Sequence, residues 1–138
     1  MKAKELMIGD WVLHNTYPAR VKLIGDTMVK LWNYDNCIDV DDVLPMPITT
    51  EILKHTGFEE LMSEGERVAE MFGRKPHPTG VWQYGFGQFD SVSYVPENGF
   101  LRIKFMEGGL TDFNNIRYVH ELQHALRLCG IEEDIIEL

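Results

Sequence analysis

The segment from Ile116 to Gly130 carries the clearest periodicity in the sequence, and it constrains the fold more than any other part of the chain. At about 100° per residue, one stripe of a helix collects its apolar side chains. These are Tyr118, Val119, Leu122, Ala125, Leu126 and Cys129. Asn114 or Asn115 can cap the start, and Gly130 suits the left-handed position that ends a helix. The pattern predicts an amphipathic helix that must bury its stripe against another element.

The residues just before this helix have the pattern of a sheet with one packed face. In Phe100 to Phe105, apolar residues alternate with Arg102 and Lys104. Asn98-Gly99 is a strong hairpin signal that joins this strand to Ser91–Val95, and Val81–Tyr84 supplies another strand. We therefore expect an antiparallel sheet whose packed face is covered by the C-terminal helix.

The N-terminal part, from Leu6 to Pro47, is typical of a small all-β unit. Its four runs of apolar residues are separated by polar or glycine turns. The runs are Trp11–His14, Ala19–Ile24, Met28–Trp32 and Cys37–Val40. They predict a small SH3-like β-barrel or curled meander over residues 1–47. Its aromatic residues, Trp11, Tyr17, Trp32 and Tyr34, are expected in core and rim packing, with an aromatic groove for a peptide or a stacked base as the alternative.

The fold class that follows is α+β, with an all-β unit over 1–47 and an α+β unit over 48–138, packed together or forming one domain. Thr49 or Thr50 can cap a short helix, Glu51–His55, which Gly57 ends. The stretch from Glu59 to Gly80 fits no clear pattern and is interpreted as a mobile insertion. Gly85-Phe86-Gly87 lacks the further glycines of a dinucleotide site, so a turn is expected there.

Charge and cysteine content narrow the class of partner. The net charge is −9, with 22 acidic and 13 basic residues, which opposes binding to nucleic acid or to an anionic membrane. No stretch has the length of a membrane span, and no signal peptide is recognised. Cys37 and Cys129 are interpreted as reduced, buried thiols. The expectation is a cytoplasmic protein that needs no cofactor.

The string His120-Glu121-Leu122-Gln123-His124 fits the H-E-x-x-H zinc pattern. Histidines four apart share a helix face and can bind zinc, and the intervening Glu121 can act as a general base. Third ligands would have to come from elsewhere: Glu132, Glu133, Asp134, Glu137, His14, His55 or His77. Arg117 and Arg127 share this helix face, and their positive charge disfavours binding of a metal cation. The face that carries both histidines is therefore interpreted as solvent-exposed, and no catalytic, cofactor or metal site is expected.

Two segments together resemble a group of short uncharacterised proteins that anaerobic gut bacteria carry, often in phage or mobile-element regions. These segments are Glu5-Leu6-Met7-Ile8-Gly9-Asp10-Trp11-Val12 and Ile116-Arg117-Tyr118-Val119-His120-Glu121-Leu122-Gln123. In the group, Asn often stands where this chain has His124. The resemblance therefore implies that the second zinc ligand is not a group feature, and it implies no activity.

The leading hypothesis is a non-enzymatic cytoplasmic protein, derived from a phage or mobile element, that acts through contacts with an unknown protein partner. One alternative is a zinc-dependent hydrolase with His120 and His124 as ligands and Glu121 as base. The other is a nucleic-acid module that uses the N-terminal barrel, since small barrels of this kind bind RNA or DNA.

Overall fold

The computed structural model describes residues 1–85, 89–131 and 136–138. It has an α+β architecture with two antiparallel sheets and a C-terminal helix. The chain forms two compact units. The first contains Met1–Ile48 and the segment with the C-terminal helix, and the second contains Thr49–Ile116. The first unit runs to Ile48 and includes the C-terminal helix, which was expected in the unit over 48–138.

Five short strands form the sheet of the first unit. They are β1 (Trp11–His14), β2 (Tyr17–Ile24), β3 (Met28–Leu31), β4 (Ile38–Asp39) and β5 (Val43–Pro45). Their order is β4-β3-β2-β1-β5, and short 3₁₀ turns lie at Ala3–Glu5 and Val40–Asp42. Since β4 and β5 are the two edges, the hydrogen bonds described here do not close the sheet into a barrel.

One face of this sheet carries a core of small aliphatic side chains. Val12 opposes Ala19 on β2, so the register places two buried residues side by side, and Val12 also opposes the half-buried Pro45 on β5. The cluster contains Leu6, Val12, Ala19, Val21, Val29, Leu31, Val40 and Val43. Burial of this apolar surface is what holds the short strands together.

The second unit is a five-stranded meander with two short helices. Its elements are α1 (Thr50–His55), β6 (Glu59–Met62), α2 (Glu66–Met71), β7 (Pro78–Tyr84), β8 (Phe89–Val95), β9 (Phe100–Phe105) and β10 (Leu110–Phe113). The strand order is β10-β9-β8-β7-β6. The Thr49 cap is confirmed, because its hydroxyl accepts a hydrogen bond from the Ile52 amide at 3.2 Å. The region expected to be a mobile insertion contributes β6 and α2, and β10 was not predicted.

Alternation on β9 is confirmed. Leu101 and Ile103 are fully buried, whereas Arg102 is exposed and makes two hydrogen bonds to Asp112 on β10, at 2.8 and 3.0 Å. The hydrogen bond from Arg102 lowers the pKa of Asp112. The predicted hairpin turn at Asn98-Gly99 is also present, with Gly99 at φ +72°.

The C-terminal helix, α3 (Val119–Leu128), begins three residues later than the periodicity predicted. Asn115 has φ +58°, and Tyr118 is extended and bridges to Pro47, so neither position continues a helix. The predicted Asn cap is therefore wrong. Gly130 ends the helix region at φ +80°, as expected. That the apolar stripe covers the second sheet stays a prediction.

Two further expectations concern burial and membranes. Cys37 and Cys129 are both free of disulfides, but Cys37 is exposed and Cys129 half-buried, so the prediction of two buried thiols is wrong. Within the described ranges, no helix is long and apolar enough to span a membrane.

Candidate functional site

A buried carboxylate on the turn before β1 is the centre of the polar contacts made by α3. Asp10 is fully buried, and Gly9 before it has φ +92°, which a glycine adopts without strain. The Asp10 carboxylate accepts hydrogen bonds from the Met7 amide at 2.7 Å, from His124 Nε2 at 2.7 Å and from an Arg127 guanidinium nitrogen at 2.9 Å. The buried charge is thus paired and hydrogen-bonded, which its burial requires.

Gln123 makes the second connection between α3 and the same turn. Its side-chain oxygen accepts a hydrogen bond from the Trp11 amide at 2.8 Å, and its nitrogen donates to the Gly9 carbonyl at 3.0 Å. Gln123 is buried, so both of these bonds are shielded from water. We call the set of Asp10, Gln123, His124 and Arg127 the helix–turn clamp. It joins the two segments that carry the resemblance.

His120 lies on the same side of α3 and is buried, with 7% of its surface exposed. Burial lowers its pKa, because a charged imidazole would lose its hydration. Its Nδ1 has no hydrogen-bond partner in the described part of the chain. Its ring stacks on Tyr118 at 6.0 Å and meets His124 edge-on at 5.5 Å. The prediction that both histidines are solvent-exposed is therefore wrong for His120, and His124 is half-buried.

The described residues do not fit a zinc site. His124 Nε2 is occupied by Asp10, and a Glu121 oxygen accepts hydrogen bonds from the Arg117 and Tyr118 amides, both at 3.0 Å. A ligating His120 would need an acceptor for its other ring nitrogen, and Nδ1 has none. Among the described residues, no group of three His, Cys, Asp or Glu side chains could hold a metal.

Of the other third-ligand candidates, Glu132, Glu133 and Asp134 lie outside the described residues, as does part of the expected turn at Gly85-Phe86-Gly87. A cavity of about 460 Å³ lies beside the histidines. It is lined by Met1, Glu5, Pro45, Tyr118, His120, Glu121 and His124. The side chains that line this cavity include no Ser, Cys or Lys.

A different surface, which the sequence did not reveal, lies on β6 and α2 in the second unit. Met62, Met71 and Phe72 are 49%, 77% and 65% exposed, and Val68 is also exposed. We call these four residues the β6–α2 surface. It adjoins an open groove of about 800 Å³. The groove is lined by Met62, Glu64, Gly65, Glu66, Glu70, Gly73, Arg74, Lys75 and Pro76. Apolar residues of α2 were visible in the sequence, but the pattern did not show which side they face.

Aromatic residues of the first sheet are less buried than expected. Tyr17 is 69% exposed and Trp32 is 51% exposed, while Trp11 and Tyr34 are half-buried. Tyr17 and Trp32 therefore reach solvent and lie outside the core, which the expectation of core and rim packing allows.

Comparison of the chain with protein-family models, with curated proteins and with solved structures found no match.

Proposed function

We propose that this chain is a non-enzymatic cytoplasmic protein, of phage or mobile-element origin, that acts without a cofactor through contacts with another protein. The observation that carries the protein-contact function is the β6–α2 surface. The proposed phage or mobile-element origin is supported by the resemblance to such proteins that two segments carry, which are the segments joined by the helix–turn clamp.

The packing of α2 supports this function. A six-residue helix is too short to be stable by itself, so packing must hold it. Yet α2 buries only Ala69, while Val68 and Met71 on the helix and Phe72 at its end remain in water. Adjacent exposed apolar side chains with a charged rim are typical of a protein-binding surface.

Charge around the groove indicates the chemistry of the partner. Glu64 is already neutralised by Arg74, with two hydrogen bonds of 2.9 Å. Glu66 and Glu70 line the groove and make no ion pair with the described residues, and Lys75 is the other cation of the lining. A segment that carries both apolar and basic side chains complements this surface, and the net charge of −9 would attract it from a distance.

A pair of synthetic amphipathic peptides tests this proposal. One alternates Leu with Lys and the other alternates Leu with Glu, and each is fluorescently labelled for anisotropy titration. We expect the Leu/Lys peptide alone to bind, with binding weakened by Met71→Asp and by Glu66→Lys. Met106→Asp is the matched control, because Met106 is 68% exposed and follows β9, near the opposite edge of the same sheet. Equal binding of both peptides, or equal effects of Met71→Asp and Met106→Asp, would contradict the proposal.

The absence of enzymatic function has its own test. Purified protein should show no turnover on a panel of peptidase, esterase and phosphatase substrates, with or without added Zn²⁺. Turnover that disappears in Glu121→Gln would instead support the zinc-hydrolase alternative.

We also propose that the first sheet is an SH3-like meander. The support is that β5 follows a 3₁₀ turn and returns to pair with β1, while β1 to β3 are joined as successive hairpins. Backbone amide exchange measured by NMR would test it, since β1 should then be the best-protected strand of the sheet.

A further inference from the structure

The outer face of the first sheet, opposite its core, collects cations although the protein as a whole is acidic. Trp11 on β1 pairs with Arg20 on β2. The residues before and after Arg20, Ala19 and Val21, are buried and face the core. Since successive side chains in a strand point to opposite faces, Trp11 and Arg20 lie on the outer face.

A bulge adds to the outer face. The register shifts between Val21, which pairs with buried Leu31, and Leu23, which pairs with Lys30. Ile24 packs against the core, so both Lys22 and Leu23 are accommodated on the outer side. Among the described residues, the outer face therefore contains the lysines Lys22 and Lys30, and also Arg20, whose Nε donates a hydrogen bond to the Gly9 carbonyl at 3.1 Å. The acidic residue that the register places there is Asp39 on edge strand β4, whose carboxylate accepts the Asp41 amide.

Two indole rings lie among these cations. The guanidinium carbon of Arg20 is 5.4 Å from the centroid of the Trp11 ring, and Lys22 Nζ is 4.4 Å from that of Trp32. The Trp32 amide donates to the Arg20 carbonyl at 3.0 Å, which places Trp32 next to Arg20 across the strands. We call Lys22, Lys30 and Trp32 the basic outer face.

Trp32 is half exposed even though it contacts Lys22. A half-exposed indole beside cations is a recurring element of surfaces that bind single-stranded nucleic acid: the bases stack on the aromatic ring and the cations neutralise the phosphates. An acidic peptide would also meet the cations, but it offers no flat ring to stack on Trp32.

We infer that the basic outer face binds single-stranded nucleic acid, with one base stacked on Trp32 and phosphates paired with Lys22 and Lys30. This is a binding activity separate from the protein contacts proposed for the second unit. At physiological salt, the overall charge of −9 is largely screened beyond about 8 Å.

The test is an anisotropy titration of a labelled oligothymidylate of about 15 nucleotides, a length within the sites of small barrels. Two phosphate contacts predict a slope of log K against log salt of about −1.4, so raising salt from about 20 to about 200 mM should weaken binding about 25-fold. Trp32→Ala should weaken it by about 5- to 100-fold, the range for losing one stacked base. Lys22→Gln and Lys30→Gln should each make the slope shallower by about 0.7.

Lys54→Glu is the matched control. Lys54 also lies near an indole, with Nζ 5.9 Å from the Trp82 ring, but Trp82 is buried and cannot stack on a base. It should change the affinity no more than about twofold, since Lys54 belongs to the second unit and is not part of the basic outer face. Circular dichroism confirms that each variant is folded.

Three results would overturn the inference. The first is no binding even at the lowest salt. The second is binding that Trp32→Ala leaves unchanged or that Lys54→Glu weakens as much as Lys22→Gln. The third is equal affinity for oligothymidylate and for a polyglutamate peptide, which would make this face a site for acidic proteins.

Discussion

Replacing Asp10 with Ala should destabilise the first unit more than the loss of any exposed ion pair. The carboxylate is fully buried and accepts three hydrogen bonds, two of them from side chains that can carry charge. Removing one partner of a buried pair costs about 3 to 5 kcal/mol. Because His124 and Arg127 are 26% and 27% exposed, water can rehydrate them, so we expect the lower end, about 3 kcal/mol.

Urea denaturation followed by circular dichroism measures this cost. With a slope of about 1.5 kcal/mol per molar urea, a loss of about 3 kcal/mol lowers the midpoint by about 2 M. Amide hydrogen exchange adds a local measurement, since the Trp11 amide is bonded to Gln123 and should lose protection.

The matched control is Asp112→Ala. Asp112 also makes two hydrogen bonds to an arginine, but its side chain and that of Arg102 are 40% and 46% exposed. Solvent screening leaves such a pair with little effect on stability. If Asp10→Ala moved the midpoint no further than Asp112→Ala, the helix–turn clamp would not be a stabilising feature, and the argument from burial would be refuted.

Three further predictions concern α3. Gln123→Leu leaves the buried Trp11 amide without an acceptor and should cost about 1 to 3 kcal/mol in urea denaturation, whereas a neutral effect would contradict the pairing. Burial lowers the pKa of His120 in the folded state below its ordinary value of 6.5. The unfolded chain therefore binds more protons than the folded chain as the pH drops from 6.5 towards the lowered pKa. Over this range the free energy of unfolding should fall by up to about 1.4 kcal/mol per pH unit. Thermal unfolding across this range should show a shallower fall in His120→Phe, and identical profiles would disprove the assignment. Dialysis against chelator should leave the unfolding midpoint unchanged. Stoichiometric zinc that survives mild dialysis, measured by elemental mass spectrometry, would instead support a metal site.

The elements that could be predicted from the sequence are those whose pattern repeats several times. The stripe of α3 and the alternation of β9 each repeat over six or more residues, and both elements are present. The start of α3 could not be predicted in this way. It is set by the bridge between Tyr118 and Pro47, a contact 71 positions apart in sequence, against a local signal from Asn114 and Asn115.

Burial of the polar side of α3 was missed for a similar reason. His120 and Gln123 are polar residues opposite an apolar stripe, and this pattern is typical of a solvated face. Their burial depends on the turn at Gly9 and Asp10, more than a hundred residues away. The sequence held one indication of this contact: the segments that contain the turn and the start of the helix both resemble the same group of proteins. That resemblance identified the residues but did not show that they touch.

The two proposed sites differ in their charge. The β6–α2 surface adjoins Glu66 and Glu70, whereas the basic outer face lies in the other unit and carries two lysines. The two proposed activities should therefore separate by mutation. Trp32→Ala should weaken oligothymidylate and leave the Leu/Lys peptide unaffected, and Met71→Asp should do the reverse, in anisotropy titrations of the same protein preparations. If each variant weakened both ligands equally while remaining folded, the two surfaces would not be independent sites, and the assignment of one partner to each unit would fail.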